Sequence, residues 1–365
     1  MADELLYYVG LTKIPKVGAV TAKNLVSYCG GAEAVFKASK KQLLAVPGIG
    51  PGTASEILKQ SVLSDAESDL NKADKDETRV FSYLSPDYPQ RLKHFPDCPV
   101  VLRYKGNIDL NANRIVAIVG TRKPTDYGRA VCEKLVEELK AYDVIIVSGL
   151  AYGIDVTAHK KCIDIGVPTI GVMGSGLDIV YPSLHRKIAK QMMENGGLLS
   201  EFPHGTPPDR EHFPMRNRVV AGMCDALVVV ETKRRGGSMI TANLANDYNK
   251  DVFAYPGRNS DEFSEGCNLL IKSHKAALLD GAKDLSYVMQ WEAGKKNTDI
   301  QRSLFIELNT EENQLVKLLK ENPKMAIDQI TVNMSKTPSE MASLLLNLEF
   351  KGVIKSLPGK RYMLI

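Results

Sequence analysis

Residues 115–128 read IVAIVGTRKPTDYG, and the chemistry they offer is that of an anion grip. The apolar run Ile115–Val119 ends at Gly120, and Thr121, Arg122 and Lys123 follow before a helix expected from about Gly128. A hydroxyl, a guanidinium and an ammonium, set where a strand leads to a helix N-terminus, suit a phosphate. A dinucleotide site would place more glycines here so that the backbone could approach a pyrophosphate. One glycine and two cations suit single phosphates instead. Similar cations follow other apolar runs: Arg186 and Lys187 in GSGLDIVYPSLHRK (174–187), and Lys233, Arg234 and Arg235 in TKRRGGSMITANLA (232–245). HFPMRNRVVAG (212–222) adds Arg216, Asn217 and Arg218. So many cations on one rim point to several phosphates rather than one.

Catalytic chemistry has weaker candidates. Asp155 and His159 lie four apart at an expected helix start, which suits either a metal or acid/base pair or a capping aspartate beside a satisfied histidine. Without a third ligand the second reading is preferred. Glu201 and Glu231 end apolar runs and could orient arginines or act as acids. No GxxxxGK[ST] stretch is present, which argues against ATP hydrolysis on a P-loop. GLAYGID (149–155) is only a loose match to GxGxxG.

The elements that must position these residues alternate. Apolar runs at 115–119, 144–148, 169–173, 226–231 and 252–255 are separated by helical stretches, the pattern of a parallel sheet covered on both faces. We therefore expect an α/β protein with a Rossmann-like, doubly wound, mostly parallel sheet over 113–292. Ligands of such sheets bind beyond the carboxyl ends of the strands, where the cation-bearing loops lie. Residues 1–75 read as a helical domain, with IPKVGAVTAKNL (14–25) and VPGIGPGTASEIL (46–58) sharing one layout. The second is close to a helix-hairpin-helix turn, making Gly48, Gly50 and Gly52 a secondary DNA-binding candidate; a docking domain that keeps the turns for packing is the competing reading. Residues 76–112 carry four prolines and read as an extended connector with short strands. Residues 293–303 look like a linker. Residues 305–365 read as three helices and a hairpin turning at Pro358-Gly359, a winged helix. Its third helix offers Glu340, Met341, Ser343, Asn347 and Glu349, with Lys351 only at its end. That is not the face of a duplex groove reader, although Lys360 and Arg361 in the wing could touch phosphate.

Composition excludes several classes. The chain has 365 residues, 44% hydrophobic and 25% charged, with a net charge of +4. No apolar run is long enough to span a membrane. The N-terminus MADELLYYVG lacks a signal-peptide pattern, so a cytoplasmic location is expected. Six scattered cysteines with no CxxC pair read as free thiols rather than disulfides or zinc ligands.

Six stretches in order, IVGTRKPTDYG, VSGLAYGIDVTAH, GSGLDIVYP, FPMRNRVVAG, VVVETKRRGGSMITANLA and VFAYPGRNSDEFSEGCNLLI, resemble the DNA-processing protein A family (DprA, also called Smf). The resemblance implies a non-enzymatic, dimeric, single-stranded DNA-binding protein that protects incoming DNA in natural transformation and loads the RecA recombinase, without cofactor or metal. It implies that Gly120, Thr121 and Arg122 hold a phosphate. It also implies DNA contacts at Arg216, Asn217 and Arg218, at Lys233, and at one of His185, Arg186 and Lys187. Lys123, Gly236, Gly237 and Ser238 complete the expected DNA-contacting set. Tyr127, Tyr152 and Phe213 are candidates for base stacking or core. The same core resembles nucleotide phosphoribohydrolases of the lysine-decarboxylase-like group, which act on nucleoside monophosphates. Their motif carries a glutamate that RRGGSMITAN lacks.

Overall fold

The computed structural model describes residues 2–293, 308–322, 325–334, 336–351, 353–357 and 361–364. The chain divides into two compact units, Met1–Gly294 and Lys295–Ile365.

The first unit is built on a nine-stranded sheet. Its strands are β1 (Arg79–Ser82), β2 (Val101–Gly106), β3 (Ile115–Val119), β4 (Ile145–Ser148), β5 (Thr169–Val172), β6 (Gly196–Ser200), β7 (Ala226–Val229), β8 (Asp251–Ala254) and β9 (Ala277–Leu278). Their order across the sheet is β1-β2-β6-β5-β4-β3-β7-β8-β9. Pairings from β6 through β9 are parallel, whereas β1 and β2 run antiparallel at one edge. Every residue of β3 to β7 is buried, so helices cover both faces, as the unbroken apolar runs require. One core packs around Ala117, Val147 and Leu227 and the other around Val116, Ile118 and Ile146, on opposite faces of the same strands.

The stretch 76–112, expected to be an extended connector with short strands, does hold two. It supplies β1 and β2, which extend the main sheet, with Tyr104 and Leu102 fully buried. The sequence signalled short strands there but not that they join the main sheet. β6 was also missed: Gly-Gly-Leu-Leu-Ser carries no β-branched residue to signal a strand.

Six helices precede the sheet, from Ala2–Lys13 to Val62–Lys75. The two hairpins share one backbone feature. Gly48 sits at φ 84°, and Lys16, its counterpart in the first hairpin, at φ 65°. Both turns thus need a left-handed residue, but only the second provides glycine for it. The helix Val62–Lys75 is tied to β2 by Asp69, whose carboxylate accepts from the fully buried Arg103 guanidinium.

The second unit is a winged helix. Helices Thr310–Glu321, Ile327–Asn333 and Pro338–Phe350 stand with strands β10 (Met325–Ala326), β11 (Ile354–Leu357) and β12 (Arg361–Leu364), ordered β10-β12-β11. Met341 on the third helix is core, not outer face. Glu340 closes a capping box with Thr337, and Glu349 accepts from Ser356 N–H and Oγ. Pro358, Gly359, Lys360 and most of the expected linker lie outside the described residues.

Candidate nucleic-acid interface

Sequence neighbours β3 and β4 pair on one side, while β7 flanks β3 on the other, so the chain reverses direction across the sheet at β3. Loops leaving β3 and β7 therefore diverge, and a cleft of about 560 Å³ opens between them. Gly120, Thr121 and Arg122 enter it from β3, Lys233 from β7, and Gly236, Gly237 and Ser238 from the start of the helix Gly237–Asp247. Asn217 comes from the helix His212–Met223. These expected residues are brought together at one place.

The helix Asp126–Leu139 was expected to present its N-terminus to a phosphate. The chain's own carboxylate holds the N-cap residue of that helix: Glu231, 1% exposed, accepts from Thr125 N–H at 2.9 Å and from Thr125 Oγ1 at 2.5 Å. Thr125 Oγ1 in turn accepts from Gly128 N–H at 3.1 Å. An added Cβ on Gly128 would lie 2.2 Å from the Glu231 carboxylate, so glycine is needed there. Glu231 is thus a structural acceptor, not an orienter of arginines. Thr121 Oγ1 accepts from Lys123 N–H at 3.2 Å, which leaves the hydroxyl proton to donate. Arg122 is exposed, makes no ion pair among the described residues, and lies 5.5 Å from the Phe213 ring centroid.

A second helix start, that of Gly237–Asp247, also faces the cleft. Its N-cap is Gly236, which has no side-chain cap, and Ser238 Oγ is buried with no partner among the described residues. Lys233 stands beside it, paired to the exposed Glu262 at 2.5 Å and 5.0 Å from the Phe263 ring.

Arg216 lines the cleft floor, but its guanidinium is occupied. It donates to Gly149 O, to Val172 O at 2.6 Å, and through Nε to Asn217 Oδ1 at 3.1 Å. It thereby fastens the ends of β4 and β5, and burial pushes its pKa down while Asp155 opposes that shift. Asp155, a carboxylate of the cleft floor, is pushed above the usual range by burial, with Arg216 pulling the other way. His159, fully buried, meets Thr169 Oγ1 through Nδ1 at 2.7 Å, and burial drives its pKa down to about 3. Among the described residues no cluster of three His, Cys, Asp or Glu could hold a metal.

Other expected residues are not in the cleft. Arg218 turns away to donate to Asp97 O and to the buried carboxylate of Glu201. That pairing also settles Glu201's place as a structural partner. Lys123 is outside the cleft lining, on an adjoining shallow surface that it shares with Arg122, Arg129 and Tyr152. Arg186 and Lys187 are exposed at the start of the helix Arg186–Met192, outside the cleft lining. His185 is buried with Nδ1 2.9 Å from Leu150 O. Gly48, Gly50 and Gly52 have open space around their Cα positions and lie outside this cleft.

Three residues here went unread in the sequence: Arg210 and Ile240, which line the cleft, and Tyr181, which lines an adjoining pocket of about 100 Å³ with Tyr152 and Phe213. Of the stacking candidates, Phe213 lines both spaces, whereas Tyr127 donates its hydroxyl to Pro256 O at 3.1 Å. Arg210 follows two prolines in a loop with no periodic signal. Ile240 is apolar in a helix, where burial is the default.

A doubly wound sheet with a cation-lined cleft at its switch point defines the class as a Rossmann-like α/β protein. The chain belongs to the DNA recombination-mediator protein A family, which residues 79–290 match. Residues 9–61 match a SAM-like helix-hairpin-helix tandem and 306–360 a DprA winged helix domain. Protein Smf of Synechocystis sp. is 30% identical over 99% of this chain and 98% of its own. DNA processing protein DprA of Streptococcus pneumoniae is 41% identical over 55% of this chain and 71% of its own. The fold is similar to the crystal structure of DNA processing protein A from Streptococcus pneumoniae, with a TM-score of 0.68 at 33% identity, covering 78% of this chain and 98% of that one. It is also similar to a structure of DNA processing protein A from Helicobacter pylori, described for its single-stranded DNA binding mode. That likeness has a TM-score of 0.54 at 28% identity and covers 59% of this chain and 98% of that one. No helix among the described residues is long and apolar enough to cross a membrane.

Proposed function

We propose that this chain is a non-enzymatic single-stranded DNA-binding protein that, as a homodimer, protects incoming DNA in natural transformation and loads the RecA recombinase onto it. The observation that carries the reading is the convergence of Arg122, Lys233 and the uncapped helix end at Gly236–Ser238 on one cleft. Each holds one phosphate, so a strand is followed along its backbone without its sequence being read. A phosphate reaching Lys233 displaces Glu262, whose side chain is 61% exposed and therefore easily moved. Phe213 and Ile240 supply the apolar wall against which bases lie. The Helicobacter pylori structure supports a single-stranded ligand, and the family's name supports a role beside a recombinase. Hydrolysis of nucleoside monophosphates has less support: Asp155, the carboxylate at the floor, is engaged by Ala151 N–H and faces Arg216.

The test is a titration of labelled single-stranded and duplex oligonucleotides with the parent, Arg122→Ala and Lys233→Ala. Each variant is expected to lose about tenfold in single-strand affinity, as for one charge-assisted contact. Duplex binding is expected to be weaker, because the third helix of the winged unit offers acidic groups. Variants that bind like the parent would move the DNA site elsewhere, the helical hairpins first. RecA loading is then assayed on the bound strand.

A further inference from the structure

The helix Gly237–Asp247 opens onto the cleft with donors that nothing among the described residues uses. Gly236 N–H bonds Lys233 O at 2.9 Å, and Met239 N–H returns to Gly236 O at 3.1 Å. The two N–H groups between them, those of Gly237 and Ser238, have no acceptor among the described residues. Ser238 is 7% exposed and lines the cleft, and its Oγ is buried without a partner. A buried hydroxyl is seldom left so, and an orphaned one marks a place for a missing acceptor.

Three donors therefore lie in the first turn of one helix, at its positive end. A phosphodiester inside a strand offers two unbridged oxygens and one negative charge. A phosphate monoester offers three terminal oxygens and a charge approaching −2 at neutral pH. Arg122, Lys233 and Arg210 add positive charge around the same space. Next to it, the pocket walled by Tyr152, Tyr181 and Phe213 shares Arg122 with the cleft and is lined by aromatic rings. We propose that this helix end is a phosphate-monoester subsite that takes the terminal phosphate of a nucleotide, with the adjoining aromatic pocket receiving its base. The monoester comes either from the end of a strand or from a free nucleoside monophosphate. The strand-end case rests on the DNA-binding reading above; the free nucleotide does not.

The experiment uses the full chain and oligothymidine of fixed length in three forms: phosphate at the 5′ end, phosphate at the 3′ end, and hydroxyl at both. Calorimetry with dTMP and with thymidine runs alongside. The proteins are the parent, Ser238→Ala, Gly237→Pro and Gly237→Ala. Gly237→Pro deletes one N–H and fits the backbone: Gly236 holds φ −76° and ψ 156°, as residues before proline do, and nothing lies within 4 Å of the Gly237 Cβ position. Ser238→Ala breaks no side-chain hydrogen bond among the described residues.

A strand ending in phosphate is expected to bind about tenfold tighter than its hydroxyl-ended counterpart, or dTMP to bind where thymidine does not. The first result identifies strand ends as the source, the second free nucleotides. Either preference is expected to fall close to unity in Ser238→Ala and Gly237→Pro and to persist in Gly237→Ala. Tight binding of all strands alike, with dTMP no better than thymidine, overturns the inference and leaves the DNA reading standing. dTMP binding without strand binding does the reverse. A preference that survives in both donor-deleting variants overturns the inference, and no binding of any ligand overturns both.

Discussion

Arg122 and Arg216 face the same cleft, and only one of them has a guanidinium open to a ligand. Arg216 holds Gly149 O and Val172 O, so its replacement loosens the carboxyl ends of β4 and β5 before it touches any phosphate. A buried charge-bearing network of this kind costs several kcal/mol to break. Gly128 tests the same point from the other loop. Gly128→Ala drives a Cβ into the Glu231 carboxylate and is expected to destabilise the protein by about 1–3 kcal/mol, measured by denaturant unfolding. Because that carboxylate holds Thr125, single-strand affinity should fall too, although Gly128 touches no DNA. His159 makes a pH prediction. Its folded pKa of about 3 lies below the ordinary histidine value, so the unfolded chain binds the proton first as pH drops. The stability linked to this group is therefore complete above about pH 6.5 and is lost as pH falls toward the folded value, by about 1.4 kcal/mol per pH unit. Unfolding at pH 7.5 and pH 5 should show a steeper loss in the parent than in His159→Gln; equal slopes would contradict it.

At the scale of elements, the two N-terminal hairpins present a natural comparison. Lys16 occupies the left-handed position that Gly48 fills in the second turn. Lys16→Gly is expected to raise stability by about 0.5–1 kcal/mol and Gly48→Ala to lower it by about 1–2 kcal/mol, both read from thermal unfolding. The likeness of the two turns was legible in the sequence because Pro and the final Gly recur at equal spacing. The parallel strands were legible too, since strands buried on both faces read as unbroken apolar runs. Short strands were legible in the proline-interrupted region of β1 and β2, though not their place in the sheet, and β6 was not legible at all, because glycines and leucines compose it. The helix ends illustrate the limit most clearly. Both loops after β3 and β7 lead from cations into helices, but only three-dimensional packing shows that one begins at a Thr125 cap held by Glu231 and the other at a glycine with no side-chain cap.

At the scale of the whole chain, the family assignment rests on matched stretches covering the helical, sheet and winged regions. Candidate site residues fared unevenly. Gly120, Thr121, Arg122, Asn217, Lys233 and Gly236–Ser238 meet at the cleft, whereas Arg218 and Lys123 turn elsewhere. A sequence shows where a charge is; it does not show which carbonyl or carboxylate competes for it, and that competition removed Arg216 and Arg218 from the open set. The central claim is that the cleft follows a strand phosphate by phosphate. It is tested most directly by the salt dependence of single-strand affinity in the parent and in Arg122→Ala. Three phosphate contacts give a slope of log affinity against log salt of about −2, and losing one should reduce its magnitude by about 0.7. A slope that Arg122→Ala leaves unchanged would contradict the account.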